Sequence, residues 1–299
     1  MAENTIQIFG ITVTINPVAF TIPGIEWKVY WYGIIIALGF ILAVLYCFNK
    51  AKSFNINADR LLDCVLVTAP VAVICARLYY VIFNGTPFSE FFNIHEGGLA
   101  ILGAVIGTAI TGTIMCKVRK VDILSALDLT ALGFLIGQGI GRWGNFVNQE
   151  AYGTWTNSSW FGMTGDRIEA EMGEGLLVHP CFLYESIWCL LGFVILHFLS
   201  KQRKFNGQIA VSYMIWYGFG RFIIESFRTD SLYIGTLRVS QIVCVLMVVT
   251  GAVLLGIGLK KASEKKKSTD YIPIFSDNSE NEIEYNVNTQ EEDENGTNN

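Results

Sequence analysis

The chain has 299 residues, of which 52% are hydrophobic and only 16% charged, with a formal net charge of −5 and a mean hydropathy of +0.43. Soluble domains carry roughly a quarter charged residues, so an ordinary soluble domain is excluded and a membrane protein is indicated. Seven cysteines without a C-x-x-C pair, three histidines and no P-loop or dinucleotide fingerprint argue against a metal, a cofactor, a nucleotide or a nucleic-acid partner.

Residues 1–28 lack a basic segment followed by an apolar core, so they do not read as a cleavable signal peptide. The alternation of Ile6, Ile8, Val13 and Ile15 predicts a short hairpin or an interfacial segment. Seven apolar windows follow. Val29–Phe48, Gly97–Cys116 and Ser240–Leu259 contain no charge, while Leu61–Phe83, Ile123–Ile140, Cys181–Leu199 and Gln208–Phe227 each contain one or two ionisable groups. About twenty apolar residues at 1.5 Å rise span a hydrocarbon core, and the alternation of a membrane barrel is absent. The expected fold is an all-α integral membrane protein of about seven transmembrane helices. Its membrane domain is 29–260, with an extracytoplasmic insertion at 142–178. The remainder, 261–299, is basic and then acidic: from Ser268 onward there are nine acidic residues and no basic ones, which predicts a disordered tail.

The basic residues orient the bundle. Lys50, Lys52, Arg60, Lys117, Arg119, Lys120, Lys201, Arg203, Lys204, Lys260, Lys261, Lys265, Lys266 and Lys267 fall on one side, fourteen of the 21. The opposite side has Lys28, Arg142, Arg167, Arg228 and Arg238. This predicts an N-terminus outside and a C-terminus in the cytoplasm. An extracytoplasmic head would then hold the ends of several helices.

One stretch on that outer side is unusually polar. Residues 141–153 read Gly-Arg-Trp-Gly-Asn-Phe-Val-Asn-Gln-Glu-Ala-Tyr-Gly, beginning where an apolar run ends. Polar groups dense enough to hold an anion at a membrane edge suggest a lipid head group as ligand. Other ionisable groups gather at the same side: Tyr32 at the first span, His179 and Glu185 at the fifth, and Tyr217, Arg221, Glu225 and Arg228 along the sixth. The spacing places Tyr217, Arg221 and Glu225 on one helical face, with Arg228 a turn beyond. Arginine holds phosphate bidentately and keeps its charge. Structural readings stand beside these: a Glu225–arginine ion pair at a helix end, Asp128 and Arg77 holding helices in register, His179 as a helix cap, His197 as a packing residue, and the glycines of 133–144 as close helix packing.

Residues 141–153 resemble, at every fixed position, the signature G-R-x-G-N-F-x-N-x-E-x-x-G of bacterial phosphatidylglycerol–prolipoprotein diacylglyceryl transferases. Trp31-Tyr32-Gly33, Gly97-Gly98-Leu99-Ala100-Ile101, His179-Pro180…Leu183-Tyr184-Glu185 and Tyr217…Arg221-Phe222…Glu225…Arg228…Asp230 resemble further motifs of that family, in order over residues 30–230. The resemblance implies an enzyme of the bacterial inner membrane. Such enzymes move the diacylglyceryl group of phosphatidylglycerol onto a lipobox cysteine thiol, with the bilayer, the lipid and the prolipoprotein peptide as partners. On this reading Arg142, Arg221, Asn145, Glu150, Tyr217 and His179 are the catalytic candidates. Arg142, Tyr32, Asn148, Gly153, Glu225 and Arg228 are the substrate-binding ones.

The chain departs from the pattern at Leu102, where many family members have a histidine often given the role of general base. His95 is seven residues earlier and is not its equivalent. Another group such as His179 then activates the thiol, or the thiol ionises without a dedicated base, or the protein is an inactive paralogue that binds lipid or prolipoprotein. A transporter or lipid flippase is a further alternative, though no inverted repeat or pair of interrupted helices is evident.

Overall fold

The computed structural model describes residues 4–24, 26–93 and 97–266. The acidic tail expected from Ser268 onward and His95 lie outside the described residues. Each apolar window becomes a helix: α1 Trp31–Lys50, α2 Ala58–Asn84, α3 Ile101–Val118, α4 Ile123–Asn148, α6 Cys181–Ser200, α7 Gln208–Glu225 and α8 Val239–Lys266, with the short α5 Asp166–Met172 between α4 and α6. All of these except α5 and α7 are long and apolar enough to cross a membrane. The α7 window is more polar because it carries Gln208, Arg221 and Glu225. Gln208 and Glu225 are buried against protein, where intramembrane polar groups are tolerated. The protein is an all-α integral membrane protein, and among the described residues apolarity alone identifies six of the seven long helices.

Helix ends follow from their capping residues. The Asn57 side chain accepts from the backbone N–H of Asp59 and Arg60 at the start of α2, and Asp122 accepts from Ser125 N–H at the start of α4. Asp128, wholly buried in α4, accepts from Gly207 and Ala210 N–H at 2.8 and 2.9 Å. It therefore caps α7 from a neighbouring helix, which gives the expected register role a specific form: a carboxylate against a helix N-terminus. His197 packs as expected, its Nδ1 2.7 Å from the Tyr46 hydroxyl of α1. A core of Phe54, Leu61, Cys116, Leu129, Leu132, Leu196 and Ile209 closes this basic end of the bundle.

The opposite end carries β structure. Strands β1 Asn4–Ile8 and β2 Ile11–Ile15 form the predicted hairpin, with Ile6 opposite Val13. Its two-residue turn, Phe9-Gly10, has φ of 50° and 80°, as a type I′ turn requires. Strands β3 Val18–Ile22 and β4 Trp27–Tyr30 pair next, and β5 Met163–Gly165 joins β1 to give the order β2-β1-β5. A final two-stranded piece, β6 Tyr233–Ile234 with β7 Leu237–Arg238, precedes α8. Ile6, Phe146, Val147, Met163, Ile168, Val178 and Phe182 form a second core that fastens this head to the ends of α4 and α6.

Two boundaries differ from the sequence reading. Helix α4 does not end at residue 140 but runs through Asn148, so the polar stretch is mostly helix, its Gly141, Gly144, Phe146 and Val147 buried in packing. Arg228 is not one helical turn further along the sixth span, because α7 ends at Glu225 and Arg228 folds back beyond it.

Helices α2 and α3 pack very closely. A Cβ on Gly103 would sit 2.3 Å from the Cys75 carbonyl oxygen, and one on Gly107 2.7 Å from Cys75 Cβ. Arg77 does not hold these helices in register. Buried in α2, it donates to the backbone carbonyls of Glu90, Phe91, Asn93, Gly97 and Gly98 at 2.7–3.0 Å, and so shapes the connector leading to α3. Arg77→Ala should lower stability by about 2–4 kcal/mol, since hydrogen bonds from charged groups carry about 1.5–3 kcal/mol each and part of the loss is recovered by water. Limited proteolysis of the detergent-purified protein should then cut between Glu90 and Gly98. An unchanged cleavage pattern would refute this role.

Candidate active site

The site is assembled at the end of the bundle that bears the head. It draws on the start of α1, the end of α4, the start of α6 and the end of α7. From α4, Arg142, Asn145 and Asn148 lie at i, i+3 and i+6, one side of the last two turns. Gln149 then takes a left-handed conformation (φ 51°) that stops the helix and turns the chain, so that Glu150 comes back over it. The Asn145 amide donates to Glu150 Oε1 at 2.8 Å, and the Asn148 amide lies 3.5 Å from the same oxygen. Arg142 Nη1 donates to Asn145 Oδ1 at 3.3 Å. Arginine, amide and carboxylate thus form one chain of hydrogen bonds.

Three guanidiniums meet at a single carboxylate, Glu185 of α6. Arg142 Nη2 lies 2.5 Å from Glu185 Oε2, Arg221 Nη1 2.5 Å from Oε1, and Arg228 Nη1 3.2 Å from Oε1. The predicted i, i+4 pairing also forms, with Arg221 Nη2 2.7 Å from Glu225 Oε2. Glu225 Oε1 accepts from the Ser231 hydroxyl at 2.8 Å, and Arg228 grips Asp230 through Nε and Nη2 at 2.8 and 2.5 Å. The Arg228 hydrogen bonds hold the Asp230 carboxyl below the usual carboxylate range. Glu185 and Glu225 are almost fully buried, whereas the Arg142 side chain is 24% exposed and that of Arg221 17%. Buried carboxylates of this kind need their cations, and removing one partner of such a pair costs about 3–5 kcal/mol.

The other predicted residues divide. Tyr217, half-buried and stacked on Tyr213 at 5.6 Å, lines a small cleft with Glu185, Trp188, Cys189, Arg221 and Ile224. Tyr32 reaches the site because Gly144 leaves room: a Cβ there would lie 2.7 Å from its ring. Gly153 is a packing position. Its N–H donates to the His179 carbonyl at 2.9 Å, it bridges to Arg228, and a Cβ would be 2.7 Å from His179 Cβ and 2.8 Å from the Phe227 carbonyl oxygen. His179 has different partners from the arginines. Its Nδ1 is 3.0 Å from the Tyr184 hydroxyl, its ring packs on Phe227, and burial pushes its pKa down. It does not cap α6, whose N-cap is Pro180. Leu102 stands exposed in the first turn of α3.

Glu185 is the residue that sequence reasoning undervalued. It was visible as a carboxylate within an apolar span, but nothing in spacing alone showed that three arginines, from α4, α7 and the segment beyond α7, would converge on it. Gln149 was missed as well, and it is wholly buried, accepting from Arg167 N–H at 2.9 Å to tie the end of α4 to the head. Among the described residues no group of His, Cys, Asp and Glu could hold a metal ion, and the described cysteines are free.

A cluster of guanidiniums beside amides and an apolar wall can bind a phosphate while acyl chains lie along the helices. Known proteins are consistent with this chemistry. The profile of the family described as prolipoprotein diacylglyceryl transferase matches residues 17–257. A protein of Clostridium novyi (strain NT) named phosphatidylglycerol–prolipoprotein diacylglyceryl transferase is 42% identical over 259 residues, 85% of this chain and 98% of its own. Proteins of the same name from Clostridioides difficile (strain 630) and Finegoldia magna are 40% and 46% identical, over 85% and 79% of this chain and 99% and 93% of theirs. With the profile spanning most of the chain and the relatives aligned nearly end to end, this multi-pass membrane protein belongs to the prolipoprotein diacylglyceryl transferase family.

Proposed function

We propose that the protein transfers the diacylglyceryl group of phosphatidylglycerol to the thiol of a prolipoprotein's lipobox cysteine, the first step of lipoprotein maturation, on the outer face of the bacterial cytoplasmic membrane. The observation that carries the site assignment is the convergence of Arg142, Arg221 and Arg228 at the mouth of the bundle. In the reaction the cysteine sulfur attacks the glycerol carbon that bears the phosphate ester. A C–S bond forms, the C–O bond breaks, and the electron pair departs on glycerol phosphate. Negative charge builds on the leaving phosphate oxygen, and fixed guanidiniums at a low-dielectric boundary stabilise it. Asn145 and Glu150 hold Arg142 in place, Asn148 and Tyr32 face the head group's glycerol hydroxyls, and Tyr217 donates a hydrogen bond from the cleft wall. Leucine at 102 accepts no proton. A thiol of pKa about 8.5 beside arginines is already partly ionised at neutral pH, so the reaction proceeds without a histidine there.

The test uses the purified protein in lipid, phosphatidylglycerol labelled in its acyl chains and a lipobox peptide. Label should appear on the peptide in a thioether, with one glycerol phosphate released per transfer, and a Cys→Ser peptide should stay unlabelled. Peptide or lipid binding without covalent product would make the protein an inactive paralogue, and solute flux without product would make it a transporter.

A further inference from the structure

The arginine cluster has no spare charge. Arg142, Arg221 and Arg228 are matched by Glu185, Glu225 and Asp230, with Glu150 close behind Asn145. A phosphodiester entering this arrangement adds a negative charge to a cluster that is already neutral and whose central carboxylate, Glu185, is shielded from water. Of the three carboxylates, Glu225 is held on one side by Arg221 and on the other by Ser231, and Asp230 is paired bidentately with Arg228. Glu185 is different. It is the shared counter-anion of all three arginines and borders the cleft that Tyr217 and Arg221 line. A guanidinium fork accepts a carboxylate or a phosphate in the same geometry.

We propose that Glu185 competes with the lipid phosphate for the same three guanidiniums, holding them together before lipid binds and driving glycerol phosphate out after transfer. Glu185 is thus a positioning residue, and the role rests on the phosphate-clamp reading of the site. On loading, the head-group phosphate exchanges with the carboxylate for the arginines. Once the C–O bond has broken, glycerol phosphate carries more negative charge than the diester did. Its repulsion from Glu185 then grows, and the carboxylate recovers its partners as the product leaves. No bond is made or broken in this exchange.

The experiment compares wild type with Glu185→Gln, which keeps the shape and removes the charge, using glycerol phosphate as the probe. Like charges brought together in a site cost several kcal/mol, so removing one should tighten product inhibition by glycerol phosphate about tenfold or more. The first turnover should be retained and later turnovers should slow, with KM for phosphatidylglycerol falling alongside kcat. A purely structural role would raise KM and leave product inhibition unchanged or weaker. Should Glu185→Gln fail to accumulate in membranes, Glu185→Asp keeps the charge but withdraws it, and should shift product inhibition the same way by a smaller factor. Unchanged or weakened glycerol phosphate inhibition in the variant that folds overturns the proposal. If Arg221→Ala still abolishes transfer in that case, the phosphate clamp stands without it; if Arg221→Ala is fully active, the clamp reading itself has failed.

Discussion

Arg221→Ala should reduce diacylglyceryl transfer by about a thousandfold, the upper end of what loss of one fixed transition-state donor costs. The expectation is this large because Arg221 has two separate tasks. Its Nη1 meets Glu185 and its Nη2 meets Glu225, at 2.5 and 2.7 Å, so it sits between two carboxylates that are otherwise nearly inaccessible to water. Alanine removes a cation that would face the leaving phosphate and also leaves negative charge in its place, which repels that phosphate. The same loss threatens the fold, since stripping a buried carboxylate of its partner costs about 3–5 kcal/mol. Arg221→Lys separates the two effects. Lysine restores the charge but not the fork that spans both carboxylates, so it should recover stability more fully than activity. Transfer rates and thermal unfolding in detergent, measured on both variants, check this. Near wild-type transfer by folded Arg221→Ala would remove Arg221 from the phosphate site.

Much of this arrangement could be read before any coordinates. Six of the long helices described follow from apolar length, and the Arg221–Glu225 pair in the more polar α7 follows from i, i+4 spacing. Other features depend on contacts between distant segments, which periodicity does not report. The sixth-span pattern made Arg228 look helical, yet Ser226 already ends α7 and a bridge from Arg228 to Gly153 folds the chain back. The fourth apolar window closed at residue 140 because the side chains of the polar stretch 141–153 are hydrophilic. That stretch is helical through Asn148 because its glycines and Phe146 are buried between α1 and α6 neighbours while its polar groups face the site. Strand β5 is three residues long and exists because β1, more than 150 residues away, offers it an edge. Glu185 has the same origin. Its identity was plain, but its importance came from three arginines that the folded chain brings from α4, α7 and the segment beyond α7.

The second large effect is expected at a position with no functional group. Gly220 of α7 and Gly192 of α6 each receive a tryptophan from the other helix. A Cβ on Gly220 would lie 2.0 Å from Trp188 Nε1, and one on Gly192 2.2 Å from Trp216 Nε1. The two indoles stack at 4.3 Å, and each N–H donates to the other's backbone carbonyl at 3.0 Å. This reciprocal lock lies directly beneath the arginine cluster, for Gly220 precedes Arg221 and Trp188 is three residues after Glu185. Gly220→Ala has no space for its methyl unless Trp188 moves. Moving it breaks the stack and the hydrogen bond from the Trp188 indole to the Trp216 carbonyl, so overpacking should cost about 1–3 kcal/mol. The helices must also separate, carrying Arg221 away from Glu185. A displacement of about 1 Å at a reacting site costs on the order of a hundredfold in rate, so Gly220→Ala should lower transfer by that factor even in the fraction that stays folded. Gly256→Ala in α8, where an added Cβ meets nothing within 4 Å, is the matched control and should leave both properties unchanged. Combining Gly220→Ala with Trp188→Phe removes the colliding nitrogen and should return part of the lost activity. If Gly220→Ala unfolds and transfers like wild type while the indole contacts persist, then the lock does not set the spacing of Arg221 and Glu185, and the site is held instead by its own ion pairs.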